Sequence, residues 1–225
     1  SSNINLAKGV GSSTNLNWTS PSFAGTTLQV AWAPKNDGVQ VNDKVTSGVT
    51  GSQNKGEGLD VVLDIAPDFG TFSPNLYAGY SVTEQYGDAK ASGTSSDKSV
   101  DIEEGVVGLN FTIGPVKAGG QVTGEFLGVD QTATDIWGYK NIAWGVSFNV
   151  NDNLSLSYGK MESKQGQVST SPNSTRVMTT ESFQIAYTMG GASIKIAETE
   201  VDNGSYVSTT ANDRDNTVVA LTLAF

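Results

Sequence analysis

The feature that most constrains this chain is a period of two. Around residue 60, Leu59, Val61, Leu63 and Ile65 alternate with Asp60, Val62 and Asp64. In an extended backbone successive side chains point to opposite faces, so this spacing predicts a strand with one greasy and one wet face. The pattern returns at Leu76, Ala78, Tyr80 and Val82, then at Val107, Leu109, Phe111 and Ile113. After Gly114 and Pro115 it runs through Val116, Ala118, Gly120, Val122 and Phe126, then through Ile142, Trp144, Val146, Phe148 and Val150. Further strands are expected at Leu154 to Tyr158, Phe183 to Met189, Ile194 to Ile196 and Val219 to Phe225. Near the start, Leu16 and Trp18 lead through Pro21 to Gly25 into Leu28, Val30 and Trp32, which brings the expected count to eleven strands in a single domain over residues 1–225.

The connections alternate as well. Short links fall near residues 21–25, 66–74, 114–115, 151–153 and 190–191, and longer polar links near 34–56, 85–101, 128–138, 163–177 and 202–214. An up-and-down antiparallel sheet places every second connection at the same rim, and transmembrane barrels have short turns on one side and long loops on the other. Aromatic residues fit two interfacial girdles. Phe23, Phe69, Phe72, Phe111, Phe148, Tyr187 and Phe225 lie toward the short turns, with Trp32, Tyr86, Trp137 and Tyr139 toward the long loops. The expected fold class is therefore all-β, a transmembrane up-and-down antiparallel β-barrel.

Composition narrows the chemistry. The chain has 225 residues, is 37% hydrophobic, and holds no run approaching the roughly 18 apolar residues of a transmembrane helix. Low average hydropathy does not weigh against a barrel, because only alternate residues of each strand meet lipid. With no Cys and no His, the chain lacks thiolate and imidazole zinc ligands, disulfides, and the commonest general base. An enzyme is not expected. The net charge of −10 argues against nucleic-acid partners. Ser1 is not an initiator Met and no leader is visible, so a leader, and possibly more chain, is expected to precede it.

On these residues the chain resembles the alphaproteobacterial, Rhodobacter-type general porins, which are trimers of sixteen-stranded barrels. The stretch from Thr14 to Gly38, TNLNWTSPSFAGTTLQVAWAPKNDG, looks like the hairpin that follows the inward-folded constriction loop of such porins. Phe225, ending an alternating strand, resembles the C-terminal signal read by the outer-membrane insertion machinery. Eleven strands is the number such a porin has after that loop. The resemblance implies that the first five strands and most of the constriction loop are missing, with Ser1 to Gly11 as the loop's tail. Eleven strands cannot close in up-and-down order, since the first and last would run parallel. The seam is expected to come from a missing N-terminal portion, or else from Asn3 to Val10 as a twelfth strand.

If the greasy side meets lipid, the other side lines water. It holds Asp60, Asp64, Asn75, Tyr77, Asn110, Lys117, Gln121, Glu125, Asn149, Gln184 and Lys195. Barrels near sixteen strands leave an aqueous channel, whereas those of about eight are filled by side chains. The expected function is passive diffusion of small hydrophilic solutes and ions through a cofactor-free outer-membrane pore, with a mild cation preference from the acidic surplus. The resemblance implies a basic cluster facing an acidic constriction loop, for which Lys117 and Lys195 are candidates, although their place near the short turns also suits solvated strand ends. Asp60 and Asp64 are separated by roughly 13 Å along a strand, too far for a glycosidase pair. The segments Asp37 to Asp43 and Asn212 to Asn216 offer oxygen ligands for a loop-bound Ca²⁺ without full EF-hand spacing, so a solvated loop is the better reading. Expected partners are the lipid bilayer, lipopolysaccharide, the insertion machinery and two further copies in a homotrimer. The competing readings are a soluble secreted or surface-layer β-sandwich, a barrel enzyme or adhesin, and a more substrate-selective channel.

Overall fold

The computed structural model describes residues 14–34, 55–85, 101–128, 136–167, 177–207 and 212–223. They form one antiparallel sheet of 11 strands whose spatial order is the chain order. The strands are β1 (Leu16–Thr19), β2 (Thr26–Ala33), β3 (Lys55–Ile65), β4 (Phe72–Gln85), β5 (Ile102–Ile113), β6 (Val116–Phe126), β7 (Ile136–Asn149), β8 (Leu154–Gln167), β9 (Val177–Met189), β10 (Ala192–Asp202) and β11 (Arg214–Leu223). Alternation located each strand but missed some ends. β8 continues to Gln167 inside the expected 163–177 link, β4 begins at Phe72, and Arg214 to Asn216 belong to β11 and not to a loop. Polar residues dominate those ends, so hydropathy loses the period there while backbone pairing carries it on.

Turn chemistry explains the short links. Ala24 and Gly25 take left-handed backbone angles with φ of 50° and 78° between the bridged residues Phe23 and Thr26, as tight hairpin turns require. A Cβ on Gly25 would lie 2.6 Å from the carbonyl oxygen of Ala66, so the turn and the neighbouring link can meet only with glycine there. At 151–153 the Asn151 side-chain oxygen accepts from the backbone N–H groups of Asn153 and Leu154, both at 2.9 Å, an Asx turn that reverses the chain.

Burial runs opposite to that of a water-soluble protein. The apolar face carries Leu28, Leu63, Leu76, Leu109, Trp144, Ile185, Ile194 and Leu221, all exposed, with no second layer against it among the described residues. The buried apolar side chains among the described residues are only Ala33, Ile102, Leu127, Met178 and Tyr206. A β-sandwich would press its greasy rows against a facing sheet; here there is one sheet, and that alternative is set aside.

The short-turn girdle is present on the apolar face, where Phe69 stacks on Phe72 at 6.3 Å and Phe72 meets Phe111 at 6.2 Å. At the opposite end the Trp32 indole donates to Glu57 at 3.1 Å, giving this large ring a polar partner near its boundary. On the same face of β8 and β9, Lys160 pairs with Glu181 at 2.6 Å, and Tyr158 donates a hydrogen bond to Glu181. Tyr139 departs from the expected girdle: its register partners are Glu125 and Gln165, so it belongs to the polar face. Its neighbour Trp137 falls at a register irregularity between Ile136 and Gly138, where strict alternation fails.

Candidate functional site: the polar face of the sheet

Residues directly paired across antiparallel strands share a face, so register decides which polar positions lie together. Asp64 opposes Tyr77, Asn75 opposes Asn110, Lys117 opposes Ser147, and Gln121 opposes Ala143. Glu125 opposes Tyr139, Asn149 opposes Ser155, Gln184 opposes Ser157, and Lys195 opposes Ala186. With Asp60 opposite Ser81, every residue expected on the wet side lies on one continuous face.

Several of these side chains meet. The Asn75 amide donates to Asp64 at 2.8 Å, and Asn110 donates to the Asn75 carbonyl oxygen at 3.1 Å, joining β3, β4 and β5. Tyr77 lies across Gly108 and donates to Gln121 at 2.8 Å. Any side chain at Gly108 would run into the Tyr77 ring, so this glycine clears the path from β4 to β6. Lys117 and Lys195, by contrast, are exposed, close to the short turns, and four strands apart in the sheet. They do not form a cluster.

Toward the long-loop end the register assembles a row that sequence reasoning saw only in part. Asp60, Ser81, Glu104, Glu125, Tyr139 and Gln165 are successive partners from β3 to β8. Glu104 was missed because Ile102, not a polar residue, precedes it on the same face, so the alternation breaks there. In the adjoining row Asn141 donates to Thr123 at 2.9 Å, and Ser163 follows on β8. Thr123, Asn141 and Ser163 are all buried.

Part of that cover comes from the link after β10. A single turn of 3₁₀ helix at Gly204–Tyr206 folds back over the polar face. There the Tyr206 hydroxyl hydrogen-bonds to that of Ser163 at 2.6 Å, and its ring lies 5.5 Å from that of Tyr139. Burial pushes the Tyr206 phenol above its ordinary pKa; the Ser163 hydrogen bond pulls it partly back, and Tyr139 and Glu125 add to the rise. Only a lone Tyr following Asn203 and Gly204 in a polar link hinted at this contact in the sequence.

Among the described residues no three carboxylates converge as a metal site would require. Of the two loop segments considered for Ca²⁺, 37–43 lies outside the described residues. In the second, Asp213 accepts a hydrogen bond from the Asn203 backbone at 2.8 Å. Phe225, Tyr86 and the stretch Asn3 to Val10 also lie outside the described residues.

A single antiparallel sheet in chain order, greasy on its exposed side and hydrogen-bonded on the other, is the wall of an outer-membrane β-barrel. The family model described as Gram-negative porin matches residues 1–180, and the chain belongs to that family. Membership assigns it to the outer membrane. Its fold is similar to that of Salmonella typhi OmpF solved with daunomycin, at 17% identity and a TM-score of 0.65, over 92% of this chain and 61% of that one. DcaP of Acinetobacter baumannii is similar over 92% and 60%, at 12% identity and a TM-score of 0.62. OmpT of Vibrio cholerae is similar over 92% and 64%, at 14% identity and a TM-score of 0.58. At these identities the likeness is one of fold, and the chain spans less than two thirds of each of these structures. No curated protein sequence matches it.

Proposed function

We propose that these strands form part of the wall of a water-filled pore through which small hydrophilic solutes and ions cross the outer membrane by passive diffusion. One observation carries the reading: the polar positions fall on one face while the opposite face exposes large apolar side chains. In water that exposure would be a liability; in a bilayer it is the required surface. The described polar face holds Asp60, Asp64, Glu104 and Glu125 against Lys117, Lys195 and Arg214. Three of those carboxylates share a row, and they favour a mild preference for cations.

The finer reading extends the likeness to Rhodobacter-type porins: a sixteen-stranded barrel, trimeric, with lipopolysaccharide around its outer rim and no catalytic role. Support comes from the strand order and the position of the long links. Reconstitution of the full-length protein into planar bilayers tests the function. Stepwise, ohmic conductance that scales with bulk salt is expected, with a reversal potential displaced toward cations. Saturable conductance for one solute class would instead favour a substrate-selective channel.

A further inference from the structure

The backbone at Asn203–Tyr206 is costly. Asn203, Ser205 and Tyr206 have φ of 53°, 60° and 60°, left-handed values that non-glycine residues rarely take. Such strain persists only where surrounding contacts over-determine it. Here the base of the turn is fixed by the Asn203 N–H on Asp213 at 2.8 Å and by the Tyr206 N–H on the Asn203 carbonyl at 2.9 Å. The tip is fixed by Tyr206, which reaches back from the end of β10 past β9 to Ser163 on β8 and Tyr139 on β7. Three inter-strand spacings separate β10 from β7, roughly 14 Å of wall. Tyr139 is the register partner of Glu125 in the row that continues to Glu104 and Asp60, so the turn packs on the wall at the β7–β8 end of that acidic row.

We propose that this turn is a constriction element of the channel and that Tyr206 is the residue that sets it. A layer of chain held against the inner wall subtracts from the open cross-section at the level of the acidic row. It thereby fixes the largest solute that passes. The inference rests on the channel reading above and adds a specificity-determining residue to it.

The test uses the full-length protein in planar bilayers and in liposomes, comparing wild type with Tyr206→Phe, Tyr206→Ala and a deletion of Asn203–Val207. Heat-modifiable gel mobility reports folding of each. Tyr206→Ala and the deletion are expected to raise single-channel conductance on the order of 1.5-fold and to admit larger neutral sugars in a swelling assay. Tyr206→Phe, which keeps the ring against Tyr139, should change conductance less. If the folded variants conduct and sieve as wild type does, the constriction role is wrong while the channel stands. Loss of folding in both Tyr206→Ala and the deletion also overturns it, because the turn would then be part of the wall's stability. A wild type that folds but never conducts defeats the channel reading itself.

Discussion

Asn141 and Asn149 are the same residue type on the same face of the same strand, yet the first is buried and the second exposed. Asn141 lies toward the long-loop end of β7, where it donates to Thr123 and stands opposite Ser163, the residue that Tyr206 holds; Asn149 lies at the short-turn end, open to solvent. Neither side chain nor strand accounts for the difference. What folds back over the sheet does. The polar face therefore has two regimes: an open end whose groups are satisfied by water and near neighbours, and a covered end whose groups depend on fixed partners.

That contrast can be broken most forcefully by moving charge across the sheet. Leu109→Arg, on the exposed apolar face of β5, should cost about 2–4 kcal/mol of folding free energy in lipid vesicles. Asn110→Arg, one residue on and facing the other way, should cost less than about 1 kcal/mol. Equal costs in denaturant titrations would mean that the two faces are not lipid and water. Within the polar face, Asn141→Ala is expected to lose about 1–3 kcal/mol, because it strips a partner from a buried group. Asn149→Ala should stay within about 0.5 kcal/mol of wild type, and a similar loss at both sites would erase the two regimes. Gly108→Val should displace Tyr77 and break its bond to Gln121, lowering stability by about 1 kcal/mol; Tyr77→Phe in the same background should then add almost nothing in a double-mutant cycle. The smallest effect belongs to the open end: Lys117→Glu should leave stability unchanged and move the reversal potential slightly toward cations, whereas no movement would place this residue outside the ion path.

Much of the sheet was legible because bilayer-facing strands enforce alternation. Strand order, short turns and the wet set from Asp60 to Lys195 follow from a strict period of two and from turn residues such as Gly25 and Gly190. Illegible parts have specific causes. Ile102 and Met178 sit on the polar face and are buried there, so hydropathy mislabels the covered end. Glu104 is adjacent to Glu103 and follows Ile102, so β5 carries acid on both faces at its long-loop end and its alternation fades there; the pairing with Glu125 places Glu104 inward. Tyr139 keeps the regular parity of Asn141 and Ala143 and so faces the polar side, which nearness to the long-loop end alone does not reveal. The placement of Tyr206 depends on a loop's path in three dimensions, about which local spacing carries no information.

Because the described strands pair in chain order, a hairpin is the natural unit of growth for this architecture. Adding or removing one inserts or withdraws two adjacent staves and leaves the flanking pair still antiparallel, with inward and outward positions unchanged. Circumference, and with it bore, can thus vary across descendants in steps of two while surviving staves keep their side chains where they were.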